Sequence, residues 1–253
     1  MRIQQLVPFM VLASLVGYAR ADLVNNGSFE TFATSGTGIT AGAGNFNYLY
    51  RPSATGLPGW TVNGQSIDII TSHFATPPSG GGTWTIDLVG SEDGIPPGTP
   101  QLGGISQTIE NLTAGATYRL SFNHSVNVGN AYGDASKPKI LDIAVLDIDN
   151  NALSLSATVG GASLGNNHVQ YSMINGTRTI SNMQWLLDSV DFTSPGTSVT
   201  ILLSAAANSN PALTTNLDGP VIDMVSLTQV PEPTSISLLA ASTLLLLRRR
   251  VRH

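Results

Sequence analysis

The 253-residue sequence contains no cysteine, which excludes disulfide bonds, thiolate metal sites and catalysis by a thiol. A domain spanning residues 22–229 does not need disulfides, because a chain of that length buries enough apolar surface without them. This region also lacks any helical hydrophobic period of useful length. Its secondary structure must therefore come mainly from strands.

Positive charge is scarce between residues 22 and 229, where 5 basic side chains stand against 15 acidic ones, a net charge of −10. An acidic surface repels phosphate backbones and anionic lipid, so we expect neither nucleic acid nor a membrane surface as a partner. The balance suits a soluble extracellular domain and is compatible with bound cations. The basic residues are Arg51, Arg119, Lys137, Lys139 and Arg178.

The N-terminus has the pattern of a secretory signal peptide over residues 1–21, and we expect this segment to be helical. Arg2 supplies the positive charge, residues 6–16 form the apolar stretch, and Ala19 and Ala21 give a small-x-small cleavage pattern before Asp22. A first core helix is disfavoured, because proline and glycine interrupt the apolar run and no residue caps it. We expect signal peptidase to cleave between Ala21 and Asp22.

The C-terminus, residues 230–253, joins three features in a fixed order. Pro231, Glu232 and Pro233 come first, then an uncharged, apolar-leaning run of 14 residues over 234–247, then a cluster of four arginines over 248–252. As a helix the run would be about 21 Å long, which is short of the roughly 30 Å hydrocarbon core. The arginines favour the cytoplasmic side, which places residues 22–230 outside.

This tail resembles the PEP-CTERM sorting signal, which a membrane exosortase is thought to recognise and cleave. The resemblance implies an exported protein, transiently associated with the inner membrane and then released to the cell surface or extracellular matrix. A plain C-terminal anchor that is never processed is the alternative.

The region between the two signals reads as one all-β domain, because short alternating apolar runs are separated by clusters of Gly, Asn, Ser and Pro. In residues 118–123, Tyr118, Leu120 and Phe122 share one face and polar residues share the other. Half-buried strands in series predict antiparallel sheets packed as a sandwich. Similar alternation occurs at Trp84, Ile86 and Leu88, at Ile105, Gln107 and Ile109, and at Val199, Ile201, Leu203 and Ala205.

Two long stretches, residues 32–57 and 160–179, are rich in Gly, Asn, Ser and Thr and are expected to be functional loops or mobile insertions. Residues 149–151 have the composition of a hairpin turn between runs 140–148 and 152–159. An EF-hand starting at Asp147 is disfavoured, because Ala152 and Thr158 stand where that loop needs glycine and glutamate.

Seven segments, among them Asn25-Asn26-Gly27-Ser28-Phe29-Glu30, resemble in order and spacing the choice-of-anchor C family of bacterial surface proteins. They are also similar to one domain of a plant cell-wall protein family. The resemblance implies a galactose-binding-like jelly roll over residues 22–229 and implies function only loosely, because jelly rolls host many roles. The segments are residues 23–30, 57–62, 72–74, 86–90, 105–108, 118–122 and 219–227.

Asp223 is the most informative core residue, because strand alternation puts it on the face of Val221, Val225 and Leu227. A lone ionised carboxylate there is costly unless it is paired or bound to metal. Glu30 is its expected companion. In related carbohydrate-binding modules carboxylates at these two motifs hold a structural Ca²⁺, so the resemblance implies a calcium site. Hydrogen bonds from a loop backbone to Asp223, with no ion, are the alternative.

Sugar binding needs exposed aromatic platforms and planar hydrogen-bonding side chains. The candidates are Tyr48, Tyr50, Tyr132 and Trp185. Tyr48 and Tyr50 rank first because they lie in the first long irregular stretch, whereas Trp84 lies on an alternating apolar face. Ordinary packing is the alternative for each.

Signals for catalysis are sparse, and we expect no enzyme activity. His73, His124 and His168 do not have metal-binding spacing. Asp87, Glu92 and Asp93 cluster in sequence, but solvated turn residues explain the last two more simply than a glycosidase pair does. The expectation is a non-catalytic surface or matrix protein that associates with extracellular polysaccharide. The alternatives are a structural envelope or biofilm component acting by self-association and, less favoured, a carbohydrate-active hydrolase.

Overall fold

The structure is a computed structural model that describes residues 21–90, 101–128, 138–157, 161–163, 167–174, 176–206 and 219–231. The signal segment up to residue 20, the tail from Glu232 and Pro233 onward, and Tyr132 lie outside these ranges, as do both expected terminal helices. Within the described ranges, no helix is long and apolar enough to cross a membrane.

Two antiparallel sheets form a sandwich, which confirms the all-β prediction. The eight-stranded sheet contains, in spatial order, β1 (Ile39–Ala41), β2 (Asn47–Tyr50), β4 (Ile67–Thr71), β5 (Trp84–Asp87), β14 (Pro220–Gln229), β7 (Thr117–Val126), β12 (Leu186–Thr193) and β9 (Ser156–Ala157). The six-stranded sheet contains β10 (Ala162–Ser163), β11 (Val169–Met173), β8 (Lys139–Leu146), β13 (Val199–Ala206), β6 (Gly103–Ile109) and β3 (Thr61–Gly64). A short 3₁₀ helix, Ala43–Asn45, precedes β2.

The connections pass repeatedly from one sheet to the other. Strands β5, β6, β7 and β8 lie alternately in the eight-stranded and six-stranded sheets, and so do β12, β13 and β14. Sequence neighbours therefore face each other across the core instead of pairing side by side, as expected for a jelly roll.

The core between the sheets follows the predicted alternation. In β7, Tyr118, Leu120 and Phe122 are buried in it, and β13 contributes Ile201 and Leu203. Burying each such side chain contributes about 1.5–3 kcal/mol to folding. The strands around residues 84–88, 105–109, 118–123 and 199–205 are thus confirmed.

The outer face of the eight-stranded sheet carries a second apolar layer. Ile70 and Val221 point away from the main core and pack with Ala75 and Met183, which lie on two long connections. The connections are joined where the Thr76 amide donates to the carbonyl of residue 180, at 3.1 Å. Ser125 on β7 is buried beneath this layer, and its hydroxyl donates to the Met183 carbonyl.

The hairpin turn at residues 149–151 is confirmed. The Asp147 carboxylate accepts the backbone amides of Asp149 and Asn151 at 2.9 and 2.8 Å. The side-chain and backbone hydrogen bonds from Asn151 lower the pKa of Asp147. The expected strand at 152–159 is reduced to an isolated bridge at Ala152 and to β9 within its described part.

Two other expectations need correction. Residues 32–57 are not one irregular stretch, because β1 and β2 form a hairpin in which Ile39 pairs with Tyr50. Residues 160–179 contain β10 and β11. The opening segment, residues 23–30, forms no strand: Leu23 donates to the Leu227 carbonyl at 3.0 Å, but left-handed residues Asn26 and Phe29 then turn the chain.

Candidate functional site

A β-bulge in β14 determines where the predicted metal-binding carboxylate lies. The register with β7 shifts between Asp223 and Ser226, and Met224 adopts a φ of 49°. The extra residue resets the alternation, so Val225 and Leu227 face the main core while Asp223 stays on the outer face with Val221. The expectation that all four share one face is wrong for Val225 and Leu227.

Asp223 is fully buried beneath the connection between β4 and β5. Its Oδ1 accepts the Met224 backbone amide at 2.6 Å, while Oδ2 has no hydrogen-bond partner among the described residues. A Cβ placed on Gly81 would lie 2.5 Å from Oδ2, so the loop backbone packs directly on the carboxylate. Such close packing leaves one carboxylate oxygen without compensation for its lost hydration.

Glu30 reaches the same loop from the opening segment. Its Oε1 accepts the backbone amides of Thr83 and Trp84, each at 2.9 Å. Gly82, with a φ of 90°, packs so closely that a Cβ there would overlap the Glu30 carboxylate. Two consecutive glycines therefore contact the two carboxylates: Gly81 packs on Asp223, and Gly82 packs on Glu30.

The electrostatics of Asp223 reflect this enclosure. Burial, opposed by the Met224 amide hydrogen bond and reinforced by the charge of Glu30, raises the pKa of Asp223 to about 8. Without a cation the carboxyl group is therefore protonated at neutral pH. A cation beside it would favour the ionised form.

These residues fit calcium by their chemistry. Ca²⁺ takes six to eight hard oxygen ligands, and the pair offers carboxylate oxygens that include the buried, unpartnered Oδ2 of Asp223. The described part of the chain holds no group of three or more His, Cys, Asp or Glu side chains suited to a metal. Backbone carbonyls and water would have to complete the coordination.

The structure buries the two residues that ranked first as sugar-binding candidates. Tyr48 and Tyr50 lie in β2 and are only 7% and 0% exposed. Phe32 packs on both rings, and the Tyr50 hydroxyl donates to the Ala33 carbonyl. Burial raises the pKa of Tyr50 to about 12. As packed here, neither ring can face a ligand. Trp84 is partly buried against the core, in line with its apolar-face pattern.

An aromatic group lies instead beside the connection that follows β4, and we call it the aromatic edge: exposed Phe46 and His73 with half-buried Phe74 and Trp185. Phe46 is 43% exposed, and its ring stacks on exposed His73 with centroids 4.3 Å apart and planes 13° apart. Phe74 stands edge-on to His73 at 4.8 Å.

Trp185 joins the aromatic edge through the second apolar layer. Its indole nitrogen donates to the Thr76 carbonyl at 2.8 Å, and its ring, like that of Phe74, packs on the second layer. Among the four aromatic-edge residues, sequence reasoning had singled out only Trp185 as a ligand candidate. The other aromatic-edge residues could have been found from their position, because Phe46 follows a Gly-rich turn and His73 follows the end of β4.

A second surface is the polar row across the outer face of the six-stranded sheet: half-buried Asn63, Ser204 and Gln170, with buried Gly104 and Asp142 between them. Strand register places these residues side by side on the outer face. The Asp142 carboxylate contacts His168 Nδ1 at 2.7 Å and accepts the Gln170 amide at 3.0 Å. Sequence reasoning missed this row, because cross-strand register cannot be read from the individual strands.

The carboxylates considered for a glycosidase do not form a described pair. Asp87 is buried in β5, where its Oδ1 accepts the Val89 amide at 2.9 Å and its Oδ2 accepts the Asn127 side chain at 2.7 Å. Glu92 and Asp93 lie outside the described residues.

Comparison with known proteins gives structural likenesses only. No protein-family model matches the chain, and no curated protein matches it. TmCBM61 in complex with β-1,4-galactotriose is 16% identical, with 83% of this chain and 99% of that chain covered and a TM-score of 0.42. A protein from Bacteroides thetaiotaomicron VPI-5482 is 12% identical, with 83% of this chain and 100% of that chain covered and a TM-score of 0.41.

The enzymatically active domain of bacteriophage CBA120 tailspike protein 4 is also similar, at 16% identity and a TM-score of 0.40. The match covers 68% of this chain and only 20% of the tailspike chain. Likenesses at this level do not argue for a function. The sandwich rests on the strand pairing of this chain, and the function on its own surfaces.

Proposed function

We propose that this chain is a non-catalytic exported surface or matrix protein that binds extracellular polysaccharide through its aromatic edge. The observation that carries the proposal is the Phe46 ring, exposed to solvent and held flat against His73. The exposed ring offers a flat apolar surface to a ligand, and stacking on a second ring restricts its orientation in advance of binding.

The surroundings of this platform suit a sugar. Sugar rings present apolar C–H faces for aromatic contact and hydroxyls for hydrogen bonds. The exposed side chain of Gln184, next to Trp185, adds a planar amide whose Nε2 donates to Thr177 Oγ1 at 2.9 Å. The net negative charge favours a neutral polysaccharide over a polyanionic one.

We propose further that Glu30 and Asp223 hold a structural Ca²⁺. The connection they clamp runs from the end of β4 to the start of β5 and carries His73 and Phe74 near its beginning. The ion would neutralise the charge of both carboxylates, which lie against the backbone of Gly81 and of residues 82–84. It would thereby fix the far end of this connection. Its function would be to hold two aromatic-edge residues in place.

Export and sorting complete the proposal. Ala21 and Asp22, at the expected signal-peptidase site, are exposed, and so is Pro231, where the expected exosortase signal begins. Exposure of both processing points is compatible with cleavage of a folded domain. N-terminal sequencing and intact mass of the protein recovered from the producing cells would test this; a mature protein that begins at Met1 and ends at His253 contradicts it.

Self-association in an envelope or biofilm is a second candidate, favoured by one observation. Leu186 and Leu187 at the start of β12 are 45% and 69% exposed, near the edge of the eight-stranded sheet. Exposed apolar residues at a sheet edge favour pairing with another chain. Sedimentation would detect it, and Leu187→Lys should weaken any oligomer.

The binding proposal is tested by retardation of the protein in gels containing neutral polysaccharides, including any produced by its own cells, with calcium present. We expect retardation by at least one polymer, lost in Phe46→Ala. Gln170→Ala, in the polar row, is the matched control and should migrate like the wild type. No retardation by any polymer contradicts the proposed function, and loss in the control alone moves the site to the polar row.

A further inference from the structure

Gln184, on the connection between β11 and β12, has a backbone conformation that its residue type rarely adopts. Its φ is 49°, in the left-handed region, where a long side chain is strained. Of the eight described non-glycine residues with a positive φ, five are asparagines, which tolerate this region. Besides Gln184, the other two have a structural reason, because Phe29 is buried against Trp60 and Met224 forms the bulge of β14. Gln184 is exposed, so core packing does not account for it.

The residues on either side of Gln184 hold it in this conformation. Before it, the carbonyl of buried Met183 accepts hydrogen bonds from Arg178 Nε, at 3.1 Å, and from the Ser125 hydroxyl. After it, the Trp185 ring packs on the second apolar layer. Because both neighbours are fixed, the backbone turns at Gln184 and leaves its side chain in solvent. Strained residues of this kind cluster at ligand-binding positions.

The side-chain amide of Gln184 has a set orientation. Its Nε2 donates to Thr177 Oγ1 at 2.9 Å, which turns the carbonyl oxygen Oε1 away from Thr177 as an acceptor. The Thr177 hydroxyl accepts this hydrogen bond and keeps its own proton to donate. Thr177 is exposed as well. The two side chains therefore present one acceptor and one donor next to each other.

We propose that Gln184 and Thr177 select the polysaccharide by binding two neighbouring free hydroxyls of one sugar residue. A hydroxyl both donates and accepts, so one donates to Gln184 Oε1 while the next accepts the Thr177 proton. This inference rests on the proposed binding at the aromatic edge, which Gln184 adjoins through Trp185. The site should favour a neutral polymer with adjacent free hydroxyls over the same polymer with its hydroxyls blocked, because each lost hydrogen bond leaves a polar group unpaired.

The strain separates a binding role of Gln184 from a structural one. Glycine and asparagine both adopt the left-handed region readily, so Gln184→Gly and Gln184→Asn should fold at least as well as the wild type. We expect the thermal midpoint of Gln184→Gly to rise by about 2–4 °C as the strain is relieved. Both variants should nevertheless bind polysaccharide about 3- to 10-fold more weakly, because glycine lacks the amide and asparagine holds it one methylene group short.

The test is isothermal titration with the neutral polysaccharide that retards the wild type in gels, in its native form and after partial O-methylation. Methylation keeps the C–H faces for aromatic contact and removes hydroxyl donors. The wild type should bind the methylated form about 3- to 10-fold more weakly, and Gln184→Gly should discriminate less between the two forms. The matched control is Asn111→Gly, which relieves a φ of 61° at an exposed turn after β6 and should bind both forms like the wild type.

The proposal is overturned if the wild type binds both forms equally, or if Gln184→Gly binds like the wild type. A lower thermal midpoint in both Gln184 variants overturns it as well, because that result assigns the side chain to the fold. Failure of the proposed function looks different: the wild type binds no polymer, or Phe46→Ala binds normally, and both proposals then fall. Weaker binding by Phe46→Ala with normal binding by Gln184→Gly removes this inference alone and leaves the aromatic edge.

Discussion

Replacing Asp223 by asparagine should make the metal-free protein more stable at pH 8 and insensitive to calcium. In the metal-free wild type the pKa of Asp223 is about 8, whereas in the unfolded chain it is about 3.9. The native state therefore holds a proton that the unfolded state releases above about pH 4. Because the native pKa is raised, its contribution to stability is complete below pH 4 and is lost as the pH rises towards 8.

The size of this loss follows from the pKa. Each unit is worth about 1.36 kcal/mol, so the stability of the metal-free wild type should fall by up to about 4 kcal/mol between pH 5 and pH 8. Asp223→Asn has no proton to lose, and the difference between the two proteins isolates this group from other titrations. Calcium at 100 times its dissociation constant should restore about 2.7 kcal/mol to the wild type and nothing to the variant.

The assay is urea unfolding followed by tryptophan fluorescence, on protein stripped of metal, at several pH values between 5 and 8. The reasoning is refuted if the wild type and Asp223→Asn show the same dependence on pH. It is refuted equally if calcium stabilises the variant as much as the wild type.

Two further predictions concern the loop and the buried tyrosine. Gly82→Ala should destabilise the protein by about 1–3 kcal/mol through its positive φ, and it should also weaken calcium binding because the new methyl group displaces Glu30. The control is Gly115→Ala, which has a φ of 80° and open space around it and should therefore show the backbone strain alone. Equal calcium affinity in the two variants would contradict this prediction. Tyr50→Phe removes the hydrogen bond to the Ala33 carbonyl and should cost about 1 kcal/mol in urea unfolding without changing polysaccharide affinity; a loss of affinity in a stable variant would restore Tyr50 as a binding residue.

Much of the sandwich could be predicted because one face of each central strand is buried. The alternation in β7 and β13 fixes which residues face the core, and no distant contact is needed to see it. That Glu30 lies close enough to Asp223 for its charge to act on that carboxyl was also predictable, from the resemblance. The bulge at Met224 was not, because a single inserted residue leaves no clear mark in an apolar run.

The ligand surface could not be predicted, because exposure depends on contacts between distant segments. Tyr48 and Tyr50 lie among Gly and Asn residues, yet Phe32 and Ala33 come from another part of the chain to cover them. Phe46 lies in the same stretch and stays 43% exposed, with the His73 ring stacked on it. The local composition around these three aromatic residues is alike, so the sequence does not show which of them is exposed. The packing of distant residues decides it.

The most direct test of the central claim is isothermal titration of the protein with a neutral polysaccharide that retards it, with calcium present. The wild type and Gln170→Ala should bind with the same dissociation constant, and Phe46→Ala should bind at least about tenfold more weakly, a loss of about 1.4 kcal/mol. Unchanged affinity in a folded Phe46→Ala variant would contradict binding at the aromatic edge.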